Sequence, residues 1–275
     1  MPFTYRVIMV ISLIGTITMV SLFWFYTIKI SVPPSASEHE PGFEEIALDG
    51  ILGEPYIHPR LRGLDDWKRP EGPWRVALQV GHWKASEAPD ELENLRVSTG
   101  TSYGSATEWE LSLAIAEQTK QMLEASGVIV EILPTTIPPN YFSDVFVSIH
   151  ADGNTSSLVS GYKVAAPRWD YSGQAEAFTA VLDAEYQNAT KLRLDPNVTR
   201  TMRGYYAFNW RKYEHSLHPL TVAAIVETGF LTNANDRRII VNFPEKPARG
   251  IADGILKFLD VTPNSVPDIE MGTEK

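Results

Sequence analysis

The chain has 275 residues, 44% hydrophobic and 21% charged, with 24 Lys plus Arg against 34 Asp plus Glu, a formal net charge of −10 and no Cys. That length admits one large domain or two small ones, and that apolar content buries a real core, which excludes wholesale disorder. The acidic balance argues against a nucleic-acid surface, and the missing cysteine excludes disulfides, iron–sulfur clusters, thiol nucleophiles and sulfur-based zinc sites. Any metal must sit on His and carboxylates.

The first feature in chain order is the run VIMVISLIGTITMVSLFWFYTI at 7–28, which holds no charged residue. As a helix it would measure about 33 Å, enough to cross a hydrocarbon core of about 30 Å. It is too long for a typical signal-peptide core, so residues 1–30 read as a single-pass anchor rather than a cleaved leader. Arg6 before it and Lys29 after it slightly favour a cytoplasmic N-terminus, which puts the rest of the chain on the extracytoplasmic side of the cell membrane. Residues 31–71 carry Pro33, Pro34, Pro41, Pro55, Pro59 and Pro70 and a Glu-rich patch, and they read as a tether in which His39 and His58 are solvated. Residues 261–275 read as a disordered tail. One catalytic-sized domain is left, at 72–260.

Within it, VALQV (76–80), VIVEIL (128–133), VFVSI (145–149), GYKVA (161–165) and VAAIV (222–226) read as strands, and 108–126, 173–192 and 248–259 have helical spacing. Nearly continuous apolar strands separated by helices predict an α/β fold, with a mostly parallel or mixed central sheet flanked by helices.

In such a sheet, functional groups gather past the carboxyl ends of the strands. VALQV is followed by Gly81 and His82, VFVSI by His150, and VAAIV by Glu227. The helix from Glu108 adds a fourth group. Thr107 and Glu110 match a capping box, which occupies Glu110 and leaves Glu108 in the first turn free to point elsewhere. A carboxylate there is equally well explained by the helix dipole. The functional reading is a zinc site of His82, Glu108 and His150 with an open position for water, and with Glu227 as general base. Spacing alone leaves both readings open, since the ligands are scattered and no HExxH signature exists.

The stretches ATEWELSLAIA (106–116), DVFVSIHAD (144–152) and ETGFLTN (227–233) resemble the zinc-dependent N-acetylmuramoyl-L-alanine amidases of the amidase-3 type, which are cell-wall hydrolases with an α/β fold. The resemblance covers about residues 74–260. It implies one zinc ion held by His82, Glu108 and His150, with Glu227 as the catalytic carboxylate. It also implies peptidoglycan as substrate, cut between N-acetylmuramic acid and L-alanine. The family's first motif usually reads D-P-G-H-G-G, whereas here it is Gln79-Val80-Gly81-His82-Trp83-Lys84, so Trp83 and Lys84 are expected to reshape the groove. The Thr-Arg pair that often ends the second strand is replaced by Leu133-Pro134-Thr135. Two alternatives stand beside the amidase: a peptidoglycan-binding module without activity, and a zinc peptidase acting on stem peptides. Nothing in the sequence speaks to oligomeric state.

Several other residues carry expectations. The aromatic and basic segment 202–219 reads as a loop with packed aromatics. Its alternative is a groove wall, with Tyr205, Tyr206, Phe208 and Trp210 stacking on substrate and Arg203 or Arg211 meeting stem-peptide carboxylates. His215 and His218 read as partly buried structural residues, Asp152 as a turn or outer-shell residue, and Asn233 and Asp236 as caps. Arg237 and Arg238 read as a solvated pair.

Overall fold

The computed structural model describes residues 57–260. The apolar run at 7–28, the tether up to residue 56 and the tail at 261–275 lie outside the described residues. Among the described residues, no helix is long and apolar enough to cross a membrane.

The chain forms β1 (Arg75–Val80), a small hairpin of β2 (Ser102–Tyr103) and β3 (Ala106–Thr107), then α1 (Glu108–Glu124), β4 (Ile129–Leu133), β5 (Val145–Asp152) and β6 (Lys163–Ala165). It continues through α2 (Ala175–Thr190), the short α3 (Arg200–Arg203), β7 (Val222–Phe230), α4 (Ala234–Asn242) and α5 (Glu245–Phe258). Five strands make one mixed sheet in the order β4-β1-β5-β7-β6, all parallel except the edge strand β6, which runs against β7. The sheet is flanked by helices, as expected. The hairpin, α4 and a 3-10 helix at Asp90–Val97 were not anticipated from the sequence.

Alternation along the strands divides the core in two. Val76, Leu78 and Val80 of β1, with Val147 and Ile149 of β5 and Ala224 and Val226 of β7, face α1, α2 and α5 through Ile115, Phe178, Leu182, Ile251 and Ile255. Each fully buried side chain of this size contributes about 1.5–3 kcal/mol. The opposite face, with Ala77, Phe146, Ala223 and Ile225, is covered by Leu92 of the 3-10 helix and by Met202, Tyr206, Phe208 and Leu217. The segment 202–219 is therefore mainly a lid on the core, as the structural reading expected.

Two local expectations are corrected. The capping box forms differently: the Thr107 hydroxyl donates to Glu110 Oε2 at 2.5 Å and caps no backbone amide, because Thr107 is also paired with Ser102 in the hairpin. The end of the tether is docked on the domain. Arg60 donates to the carbonyls of Trp210 and Glu214 and to Ser216 Oγ, and Arg69 forms a two-point pair with Asp144. His58 packs edge-on to Trp210 at 5.4 Å, and Trp67 lies against Phe142 and His218. These contacts sit at the amino ends of the sheet strands, where Asp144 also accepts the Arg75 amide.

Candidate metal centre

The sheet carries three of the four chemistry-bearing positions to its carboxyl end. β5 extends through Asp152 and β7 through Phe230, so His150 and Glu227 lie within the strands rather than after them, and they are register partners. Lys163 pairs with Glu227 from the other side. By strand alternation, His150, Glu227 and Lys163 share the face that the long helices leave uncovered. His82 follows β1 in a left-handed conformation, φ 63°, which costs a non-glycine residue about 1–2 kcal/mol. Glu108 comes from the first turn of α1.

These residues converge. Ligand atoms of His82, Glu108 and His150 all lie within 4.8 Å of one another. Glu108 Oε1 is the shared atom, 2.9 Å from His150 Nδ1, 3.2 Å from His82 Nε2 and 3.2 Å from the Ala151 amide, which donates to it. Its other oxygen accepts the Thr101 amide at 2.7 Å. Two glycines make the convergence possible. A Cβ on Gly81 would overlap the His150 ring, and one on Gly100 (φ 73°) would come within 2.7 Å of Glu108 Oε2 and 2.8 Å of the His82 ring.

The donor set fits a cation. His82 Nδ1 lies 3.0 Å from the Ser98 carbonyl oxygen. A neutral ring donating there presents a lone pair at Nε2, and that atom faces Glu108 Oε1, itself an acceptor. Two acceptors in that position call for a proton or a metal ion between them. Burial opposes a charged His82, but the Glu108 hydrogen bond and charge outweigh it and raise its pKa. Burial likewise works against an ionised Glu108, yet His150 and His82 hold it well below the usual carboxylate range. Glu108 is thus ready to ligate. His150 Nε2 and Glu227 Oε2 are buried polar atoms with no hydrogen-bond partner among the described residues. Burial, then the charges of Glu108 and Asp152, push Glu227 well above its ordinary value of 4.5, against an opposing pull from Lys163.

A family model described as N-acetylmuramoyl-L-alanine amidase matches residues 76–257. The chain belongs to this family. The protein is an N-acetylmuramoyl-L-alanine amidase, a cell-wall hydrolase that acts on peptidoglycan. Among solved structures, the amidase is similar to Ami1 of Mycobacterium abscessus, with 21% identity, a TM-score of 0.50, and coverage of 68% of this chain and 98% of that one. It is also similar to AmiC2 of Nostoc punctiforme, at 21% identity and TM-score 0.49, covering 70% and 99% of the two chains. The catalytic domain of CwlV from Bacillus (Paenibacillus) polymyxa shares 22% identity at TM-score 0.47, covering 69% and 99%. No curated protein matches the amidase significantly.

The remaining sequence-based expectations sort as follows. Trp83 packs against the helix-side core rather than standing in the groove, and Lys84 lies over its ring with Nζ 5.1 Å from the centroid. Tyr206, Phe208 and Trp210 are buried; only Tyr205 of these reaches the ligand cluster, edge-on to the His150 ring at 5.6 Å. Arg203 pairs with Glu176, and Arg211 stacks on Trp210. His215 binds Glu91 and His218 packs between Trp67 and Phe142, so both are structural. Asp152 does both things expected of it, accepting the Gly153 amide and pairing with Lys163. Asn233 caps α4, and Asp236 accepts the Gly161 and Phe230 amides. Arg237 is not a solvated residue: it stacks on Tyr103. Sequence reasoning missed Ser98, Thr101 and Lys163. Only Lys163 left a trace, as the lone charge in an apolar strand.

Proposed function

We propose that the amidase is zinc-dependent, with His82, Glu108 and His150 as the ligands and Glu227 as the proton-transfer residue. The observation that carries this reading is the shared Glu108 Oε1, contacted by both imidazoles, with the orphaned Glu227 Oε2 in the adjacent register position. Two imidazoles and one carboxylate make a common ligand set for hydrolytic zinc. Zinc held there would lower the pKa of bound water toward 7 and polarise the scissile carbonyl.

The chain's own residues supply the rest. The Thr101 and Ala151 amides fix the Glu108 carboxylate, and the Ser98 carbonyl fixes the His82 ring with Nε2 inward. Burial raises the Glu227 pKa and so its basicity; its ionised form can take a proton from water, and the acid so formed can pass that proton to the departing amide nitrogen. An amide needs that second transfer because its nitrogen leaves poorly unless protonated. Trp83, partly buried against the helix-side core, lends less support to a stem-peptide peptidase than its place in the sequence suggested.

The uncharged run at 7–28 supports anchoring in the cell membrane with the catalytic domain outside, where peptidoglycan lies. Release of the full chain from membranes by alkaline carbonate would refute the anchor. The catalytic reading is tested with the full chain in detergent, loaded with one equivalent of zinc and given a disaccharide–peptide substrate. Mass spectrometry is expected to show free stem peptide with an L-alanine amino terminus. Glu227→Gln is expected to lose about 10²–10⁴-fold in kcat while retaining zinc. A variant of undiminished rate would remove Glu227 from the mechanism.

A further inference from the structure

We propose that Arg237 and Tyr103 form an anion subsite beside the metal centre, where Arg237 recognises a free carboxylate on the stem peptide. The inference rests on the placement of the site proposed above and adds what that site selects. Three segments adjoin the ligand cluster. One carries Thr101, whose amide holds Glu108; another follows His150; the third follows Glu227. They are laced together, the Leu231 amide donating to the Asp152 carbonyl at 2.9 Å and the Asn154 amide to Thr232 Oγ1 at 3.0 Å. Arg237 closes the lacing. Its Nη1 donates to the Leu231 carbonyl at 2.6 Å, and its guanidinium carbon lies 3.9 Å from the centre of the Tyr103 ring.

This arrangement holds the guanidinium flat without using it up. A guanidinium carries five N–H donors in a rigid fork. Only Nη1 of Arg237 has a protein acceptor among the described residues, which leaves Nε and Nη2 to bind a ligand. Tyr103 is exposed on the hairpin and Arg237 is half-buried, so the fork is ordered but reachable. A planar fork with an open edge matches a carboxylate, which it can bind through two parallel bonds. Of the cations first expected to do this work, Arg203 is paired with Glu176, and Arg211 stacks on Trp210 beside His58, at the amino ends of the strands. Lys163 is buried against Asp152 and Asp195. In a chain of net charge −10, a preorganised cation on the segments that adjoin the ligand cluster favours an anionic peptide.

The test uses the zinc-loaded full chain and two disaccharide–peptides that differ only in their stem carboxylates, free in one and carboxamides in the other. The wild type is expected to prefer the free acid. Arg237→Ala should cut that preference about tenfold or more, through KM rather than kcat, and Arg237→Lys should restore only part of it. Equal losses on both substrates, or a wild type with no preference, would overturn the subsite and leave Arg237 as a brace for the hairpin. Calorimetric binding of the same two peptides to Glu227→Gln, with and without Arg237→Ala, reads the subsite independently of turnover. If neither peptide is cleaved by the wild type but the free acid binds better through Arg237, the catalytic reading fails and the subsite stands.

Discussion

Glu227, the proposed proton-transfer residue, shows how surroundings shift a single carboxyl group. Burial is the main cause of its raised pKa, with Glu108 and Asp152 adding to it and Lys163 opposing. A group whose pKa is raised by folding stabilises the fold fully below its unfolded value, here 4.5, and loses that contribution as pH rises through the folded value. The metal-free protein is therefore expected to lose stability through Glu227 as pH climbs from 4.5 toward the raised folded value. Glu227→Gln removes this dependence. Calorimetry of the two metal-free proteins should find the variant at least as stable as the wild type at neutral pH, with a gap that widens upward. A gap that stays constant as pH rises would mean that Glu227 is already ionised in the fold. The same residue scale explains the glycine of the Gly81-His82 pair, since the His150 ring lies where a side chain would begin.

At the scale of elements, the segment leading into β1 is more than a tether. Arg69 binds both oxygens of Asp144, donates to the Pro70, Gly72 and Pro73 carbonyls and lies over Trp74. Asp144 also holds the first amide of β1, so this pair ties the incoming chain to two neighbouring strands. Arg69→Ala would leave the largely buried Asp144 carboxylate without its cation. The expected cost is about 1–3 kcal/mol, less than for a fully buried pair because Arg69 is partly exposed. Urea unfolding of the full chain measures it, and a change within about 0.5 kcal/mol would return the segment to the role of a linker. Pro-rich composition marked this stretch as unable to form its own core. It could not reveal that a neighbouring sheet supplies one.

For the whole molecule, a metal held by the proposed ligands, just after β1, at the start of α1 and in β5, would couple three elements, so its binding energy would add to folding. Removing it with a chelator is expected to abolish activity and lower Tm by roughly 10 °C, with both restored by zinc. Because Glu108 raises the His82 pKa in the metal-free protein, zinc affinity should begin to fall at a higher pH than an ordinary histidine would dictate. A chelator without effect on Tm would disconnect the cluster from metal. The layout also separates two ends. The chain enters at the amino ends of the strands through Arg60 and Arg69, and the ligand cluster lies at their carboxyl ends. The sequence by itself determined the strands β1, β4, β5 and β7 and the helices α1, α2 and α5, and it singled out the His82, Glu108 and His150 that cluster, because these rest on apolar periodicity and local motifs. Only the tertiary structure decided that Trp83 turns into the core, that Tyr205 alone of its segment reaches His150, and that Arg237 stacks on Tyr103. Those outcomes depend on which face of the sheet the long helices leave open and which loops meet above it, and such contacts between distant segments leave no periodic trace in a chain.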